Sequence, residues 1–317
     1  MKKVLLATTA LTFSSGFALA QDSGISISGS AEMGIADRDI DGRSVEFIQD
    51  IDVTFSFIGE TDNGLSFGAA IDIDEVSNDD TDGDGIAEAE DDATGNDFDD
   101  GGVSVFISGD FGTLTLGDTD GAFDFAVAEA TGGGSLQDDH TAHEGYNGNG
   151  GLSGDTDGQV LRWNRNFGDF AVAVSYAQDA TANGAEADTG TGEAIGVGVR
   201  GTFGVFTVGV GYEDNDVDDI IGVSVGYGFG DFNFIANYAD QDTLGSRYGL
   251  AVVYGSGPLT LAANYGDQDN DVTGVDVEGF GLAANYDLGG GAEVQFGYGD
   301  SDVADTSTWS LGISMSF

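Results

Sequence analysis

The sequence predicts an all-β fold, a transmembrane antiparallel β-barrel of 16 strands, and three observations carry that prediction. The first is the closing stretch, Ser307 to Phe317. From Trp309 its odd positions are Trp309, Leu311, Ile313, Met315 and Phe317, and its even positions are Thr308, Ser310, Gly312, Ser314 and Ser316. That period puts every apolar side chain on one face of a strand and every small or polar one on the other. In a closed barrel this strand must pair with the first one, near residues 24–36. The second observation is a register of tyrosines. Tyr176, Tyr212, Tyr238, Tyr265 and Tyr298 each end an apolar run of their own parity, and each is followed by acid within three residues. An aromatic girdle has this form, with rings buried at headgroup level and hydroxyls kept wet. The third is the alternation of connections. Seven are short and contain Gly (Asp62-Asn63-Gly64, Asp110-Phe111-Gly112, Phe167-Gly168-Asp169, Phe203-Gly204, Phe229-Gly230-Asp231, Gly255-Ser256-Gly257 and Gly289-Gly290-Gly291). Eight are long and acidic: 37–44, 75–101, 118–158, 177–192, 213–219, 239–247, 266–276 and 299–306. Seven turns at one end and eight loops at the other require sixteen strands with both termini at the turn end.

Taken in order, residues 1–20 read as a signal peptide: Lys2-Lys3, the apolar run Val4–Leu11, and Ala18-Leu19-Ala20 as a cleavage site. Residues 21–317 are then one barrel domain. Its outward face begins Ile25/Ile27/Ala31/Met33/Ile35 and continues Phe47/Ile51/Val53/Phe55/Phe57 and Leu65/Phe67/Ala69/Ile71/Ile73. Val103/Val105/Ile107, Leu114/Leu116, Leu161/Trp163, Phe170/Val172/Val174, Ile195/Val197/Val199 and Ile221/Val223/Val225/Tyr227 follow the same rule. The opposite parity places Glu32, Glu46, Asp50, Asp52, Asp72 and Asp74 on the lumen wall. It also puts Arg162, Arg200 and Arg247 inside, while Arg165 has outward parity at a strand end. A sixteen-stranded barrel is too wide for side chains to fill and keeps an aqueous lumen.

The composition excludes several alternatives. Of 317 residues, 57 are acidic and 8 basic, so nucleic acid as a partner would be repelled. With no Cys, no disulfide framework holds the chain. The charge favours accumulation of cations.

The segment Gly109 to Phe123, GDFGTLTLGDTDGAF, resembles the tight turn, fifth strand and loop entry of Gram-negative general porins. The whole mature chain is similar to the sixteen-stranded trimeric porins of Rhodobacter-type alphaproteobacteria. That resemblance implies an outer-membrane location with short turns in the periplasm, a homotrimer among lipid and lipopolysaccharide, and an assembly signal carried by Trp309 and Phe317. It also implies that the third loop, 118–158, folds into the lumen and constricts the pore. Asp118, Asp120, Asp124 and Glu129 would then face Arg162, Arg200 and Arg247, a basic set sparser than the family's usual cluster. The function implied is a passive, water-filled channel for ions and small hydrophilic solutes, with cation preference read from the excess of acid. A substrate-selective channel on the same fold would need aromatics along the lumen, and the parity reading turns the aromatics outward. An acidic surface β protein without a pore is the remaining alternative.

Two loop motifs have chemistry of their own. Asp80, Asp82, Asp84, Ile86, Glu88 and Asp91 follow the spacing of a calcium loop, with Gly85 at its sixth position. Asp91 stands where a bidentate Glu is usual, and flanking helices are missing, so calcium binding and a solvated acidic loop both stand as readings. His140 and His143, with Asp138, Asp139 and Glu144, are read as solvated loop residues. No cofactor is required by this reading, and no enzyme activity is expected, since neither histidine lies in a strand where a catalytic group could be held.

Overall fold

A computed structural model describes residues 24–37, 45–75, 98–136, 150–152, 160–178, 193–269, 274–302 and 306–317. The predicted leader, the calcium-like loop and both histidines lie outside these residues. Sixteen strands close into one antiparallel barrel. The first five are β1 (Gly24–Asp37), β2 (Glu46–Glu60), β3 (Ser66–Glu75), β4 (Phe98–Gly109) and β5 (Gly112–Gly117). A short helix, α1 (Ala122–Ala126), follows. Then come β6 (Val160–Phe167), β7 (Phe170–Ala177), β8 (Ala194–Phe203), β9 (Phe206–Asp214), β10 (Asp219–Phe229) and β11 (Phe232–Gln241). The chain finishes with β12 (Gly245–Ser256), β13 (Leu259–Gln268), β14 (Val277–Gly289), β15 (Ala292–Ser301) and β16 (Thr306–Ser316).

The terminal strand closes the barrel as its pattern requires. β16 pairs with β1 from Ser30 opposite Ser316 to Asp37 opposite Trp309. Phe317 extends the ladder by one step, its N–H donating to Gly29 O at 2.9 Å. The short turns rely on glycines such as Gly168, Gly204 and Gly230, whose φ angles of 65°, 66° and 62° are left-handed.

The outward face is apolar all round. Val199, Val208, Val223, Leu250, Leu261, Leu282 and Leu311 are among many large hydrophobic side chains left exposed by the protein itself. A contiguous apolar surface on this scale needs an apolar environment, and lipid supplies it. Three of the girdle tyrosines are fixed in the same way: Tyr212, Tyr238 and Tyr298 donate to the carboxylates of Asp214, Asp240 and Asp300, at 3.3, 3.1 and 3.1 Å, while the Tyr265 hydroxyl donates to Glu278 on β14. Acceptor and donor sit two residues apart on one face, so each Tyr-x-Asp keeps its hydroxyl at the polar boundary. A second aromatic belt, not expected from the tyrosine register, lies at the turn end. There Phe170 packs on Phe203, Phe206 on Tyr227, and Phe232 on Tyr254, with ring centroids 4.8–5.2 Å apart.

Several connections are shorter than the sequence suggested, two of them by about half. The loops expected over 213–219 and 239–247 shrink to 215–218 and 242–244, because β9 to β12 continue through their acidic residues. Acid at a strand end does not break the ladder when its side chain reaches water, as at Asp214, or finds a partner, as at Glu213.

Candidate functional site

The third connection leaves β5, turns inward and lies as a strap against the inner wall. Helix α1 packs on β7, β8 and β9. Its first N–H groups are orphans by the geometry of any helix, and Ala122 N donates to Ser175 Oγ on β7 at 2.8 Å. Further along, Ala128 N donates to Ser224 Oγ on β10 at 2.9 Å, and Asn237 Nδ2 on β11 donates to Ala128 O at 3.1 Å. The strap then passes Val253 and Ala262 at Gly132, and ends with Leu136 over Gly34 of β1 and Gly312 of β16. Among the described residues it follows the wall from β6 and β7 round to β16 and β1, and leaves much of the inner face of β2–β5 uncovered.

Close approach is possible because the wall under the strap has almost no side chains. A Cβ added at Gly198 would meet Ala122 O at 2.0 Å, and one at Gly209 would meet Ala126 O at 1.9 Å. Gly211 and Gly222 make the same room for Phe123, which is fully buried. The alternation Gly-Val-Gly-Val in β8 and β9 contains this signal. Parity reading recorded it only as a small inner face.

All three predicted inner arginines point inward, and all three are bound to the strap. Arg162, 4% exposed, donates to Asp120 O at 2.9 Å and pairs with Asp120 Oδ2 at 3.5 Å. Arg200 donates to Phe125 O at 3.0 Å, with its guanidinium 4.0 Å above the Phe125 ring. Arg247 donates to Gly150 O. They act as rivets for backbone carbonyls. Arg165, of outward parity at its strand end, lies over the Phe167 ring at 5.0 Å.

Asp124 does not face the passage as a bare charge. It is largely buried between strap and wall, beside Glu213. Burial first, then the neighbouring carboxylates of Glu213 and Asp120, push its carboxyl up to about 8, against the pull of the Gly151 N–H and Arg247. Glu213 is the site residue the sequence reading missed. It is fully buried, and its Oε2 accepts from Leu152 N at 2.7 Å, which holds the far limb of the strap. Its position next to outward Tyr212 gives it lumen parity, yet it was read as the start of an acidic loop. Glu129 is exposed on the strap. Asp118 lies at its root, with its N–H bonded to Val103 O at 3.0 Å.

On the bare side, Ser30 Oγ donates to Asp52 at 2.6 Å and Thr54 Oγ1 to Asp72 at 2.9 Å. Glu32 stands opposite Asp50, and Ala36 opposite Glu46. Asp74 pairs through its backbone with Asp52. Strands β1–β5 carry no Lys or Arg; Arg38 and Arg43 belong to the connection between β1 and β2, outside the described residues. One aromatic contradicts the outward rule. Phe106 lies between inward Ser104 and Ser108 on β4 and borders the lumen cavity.

A closed barrel with an apolar exterior, a polar interior and a strap across the lumen defines a membrane channel of the bacterial outer-membrane type. Comparison with known proteins is specific. Residues 7–306 match the family model described as Gram-negative porin, and the chain belongs to that family. It is 29% identical to the porin of Rhodobacter capsulatus, over 92% of this chain and all of that one. A porin structure refined at 1.8 Å resolution matches with 26% identity and a TM-score of 0.70, over 93% of this chain and all of that one. A variant of Rh. blastica porin shares the fold at 21% identity and a TM-score of 0.69, with the same coverage. The protein is thus a general diffusion channel of a Gram-negative outer membrane.

Proposed function

We propose that this porin is cation-selective, passes ions and small hydrophilic solutes without catalysis, and works as a homotrimer in a lipopolysaccharide-containing membrane. The observation that supports the selectivity is the division of charge. Glu32, Asp50, Asp52 and Asp72 stand on the inner face of β1–β3, whereas Arg162, Arg200 and Arg247 are tied to strap carbonyls. At an effective dielectric near 20, a carboxylate about 4 Å from a passing ion is worth about 4 kcal/mol. Such a wall favours cations until salt screens it. A calcium ion in the outer loop 80–91 is part of the same proposal, as a neutraliser of five clustered acids.

Reversal potentials across a planar bilayer in a KCl gradient test it. At low salt and neutral pH the potential should lie on the cation side and move toward zero near 1 M, where the Debye length is about 3 Å. A value at zero or on the anion side at low salt overturns the proposal. Unheated gel mobility with a crosslinked control reports the trimer.

A further inference from the structure

The far end of the strap lies over a patch of wall lined by oxygen. Gly133 rests against Ala262 and Ala283, and Leu136 fills the space left by Gly34 and Gly312. Between those contacts the strap crosses the inner face of β15. There Asn285 of β14 stands directly opposite Gln295 of β15, and Gln295 opposite Gly312 of β16. Ser310 is the next inward residue of β16, and Ser135 belongs to the strap itself. All four polar residues are covered: Ser135 is 1% exposed, Asn285 and Ser310 4%, and Gln295 8%. Asn285 Nδ2 and Gln295 Nε2 both donate to Glu293 Oε1, at 3.0 and 3.1 Å, which fixes which end of each amide is oxygen. Asn285 Oδ1, Gln295 Oε1, Ser135 Oγ and Ser310 Oγ are left buried without a hydrogen-bond partner. Facing side chains on neighbouring strands have Cβ atoms about 4.5–5.5 Å apart, so one small ligand spans the two amide oxygens.

Two features of this pocket select its ligand. The first is that every orphaned atom is an oxygen able to accept: two amide carbonyls and two hydroxyls. The second is charge. Among the described residues Glu293 pairs with no basic residue, and its printed bonds are those to the two amides. A carboxylate at the nitrogen end of an amide polarises it and makes its oxygen the stronger ligand, as a carboxylate behind a metal-bound histidine does. Water would satisfy the oxygens and leave that charge uncompensated. Calcium takes six to eight oxygens, usually with several carboxylates among them, and here a single carboxylate stands behind the amides. We infer that the pocket binds one dehydrated monovalent cation, sodium or potassium, and that this ion clips the far end of the strap to β14–β16. The α1 end is held by direct bonds to Ser175 and Arg200, and the ion supplies the corresponding hold at the other end. One row toward the turns, Glu293 is followed by Ser314, Glu32 and Asp50 on successive strands, so the acidic wall borders the pocket.

The test has a structural arm and a solution arm, both on the whole mature protein. Crystals soaked in thallium(I), which replaces potassium and scatters anomalously, should show a peak in contact with Asn285 Oδ1 and Gln295 Oε1. In detergent, proteolysis of the strap should be severalfold slower in potassium chloride than in N-methylglucamine chloride of equal ionic strength, since that organic cation is too large for the pocket. Gln295→Leu should abolish the thallium peak and remove the difference between the two salts. Should that variant fail to assemble, Ser135→Ala, which leaves the barrel untouched, should lower thallium occupancy and narrow the difference severalfold. Ser104→Ala, on the inner face of β4, should leave both readings at their wild-type values. A pocket that holds water without anomalous signal overturns the inference, as does strap cleavage at one rate in both salts. Thallium occupancy that neither the leucine nor the alanine variant lowers overturns it as well. None of these outcomes touches the porin reading, which bilayer conductance tests separately.

Discussion

The wall beneath the strap and the wall it leaves bare belong to one barrel with one period, yet their inner faces differ in kind. Under the strap stand Gly198, Gly209, Gly211, Gly222, Ala171 and Ala173, with Ser175 and Ser224 accepting hydrogen bonds from strap N–H groups and Glu213 buried among them. Opposite stand Glu32, Asp50, Asp52 and Asp72, then the hydroxyls around Phe106. Lipid meets the outside of both walls and imposes the same apolar face on each. The inside has no common solvent. Where backbone lies against it, side chains are removed to admit that backbone. Where water and solute lie against it, side chains are kept and charged.

The largest effect should come from filling the covered wall. Gly198→Val together with Gly209→Val drives methyl groups into Ala122 O and Ala126 O, which lie 2.0 and 1.9 Å from even a bare Cβ. Overpacking costs about 1–3 kcal/mol per site, and the clash falls beside the helix contacts that Ser175 and Arg200 hold. Single-channel conductance should change severalfold and the strap should become open to protease, while the strands stay paired. Thr115→Val on the bare wall is the control and should leave the strap protected. Equal conductance and protection in both variants would mean that the glycines are not a docking bed.

A second, smaller effect concerns protons at the same contact. Asp124 has a carboxyl raised to about 8 by burial and by Glu213 and Asp120, against an ordinary value near 3.8 when the strap is undocked. The docked form therefore holds a proton that the undocked form has lost throughout the interval from about 4 to about 8. Stability of docking falls as pH rises through that interval and levels off above it. Protease cleavage of the strap should be slower at pH 5 than at pH 9. Asp124→Asn should flatten the profile, and a profile unchanged by that substitution would sink the assignment. Glu213→Gln keeps the acceptor for Leu152 N and should weaken the dependence without releasing the strap.

These two predictions rest on residues that were hardest to read in the sequence, and the reason is physical. The outer face is set by contact with lipid, a single medium that acts on every strand, so period two, the tyrosines and the closing pattern at Trp309–Phe317 were legible one strand at a time. The strap's seat is set by contacts between segments far apart in the chain. Asp124 is quiet as a pore charge only because Glu213 lies beside it, and neither residue carries that fact locally. Gly198 and Gly209 look like ordinary small residues until Ala122 and Ala126 are placed on them. Phe106 was legible in part: its parity opposes that of Val105 and Ile107, but the surrounding outward aromatics outweighed it.

Selectivity sharpens the comparison from the other side. Changing Glu32, Asp50 and Asp52 to their amides should move the low-salt reversal potential clearly toward zero. Asp124→Asn should move it much less at neutral pH, since a carboxyl raised to about 8 is already mostly protonated. Glu129→Gln, on the exposed strap, should fall between them. A larger shift from Asp124 than from the three wall acids would reverse the roles given to the two regions.

The smallest effect expected is from calcium. The loop carrying Asp80, Asp82, Asp84, Glu88 and Asp91 connects β3 to β4, so its base is on the bare wall. Five acids at ligand spacing repel one another without a cation, and a bound calcium would cancel two of their charges near the mouth of that side. Exposed charges act over about 8 Å at physiological salt, so the loop adds to the wall's potential only at the rim. Calcium on the outer side should therefore lower cation preference slightly, by less than the loss of the three wall acids. It should also slow proteolysis within residues 80–91, and chelator should restore both. Magnesium at the same concentration controls for simple screening, since it keeps much of its water and fits such a loop poorly. Identical shifts with the two ions, together with protease sensitivity that ignores both, would leave the loop as a solvated acidic segment and confine the selectivity of this channel to its wall.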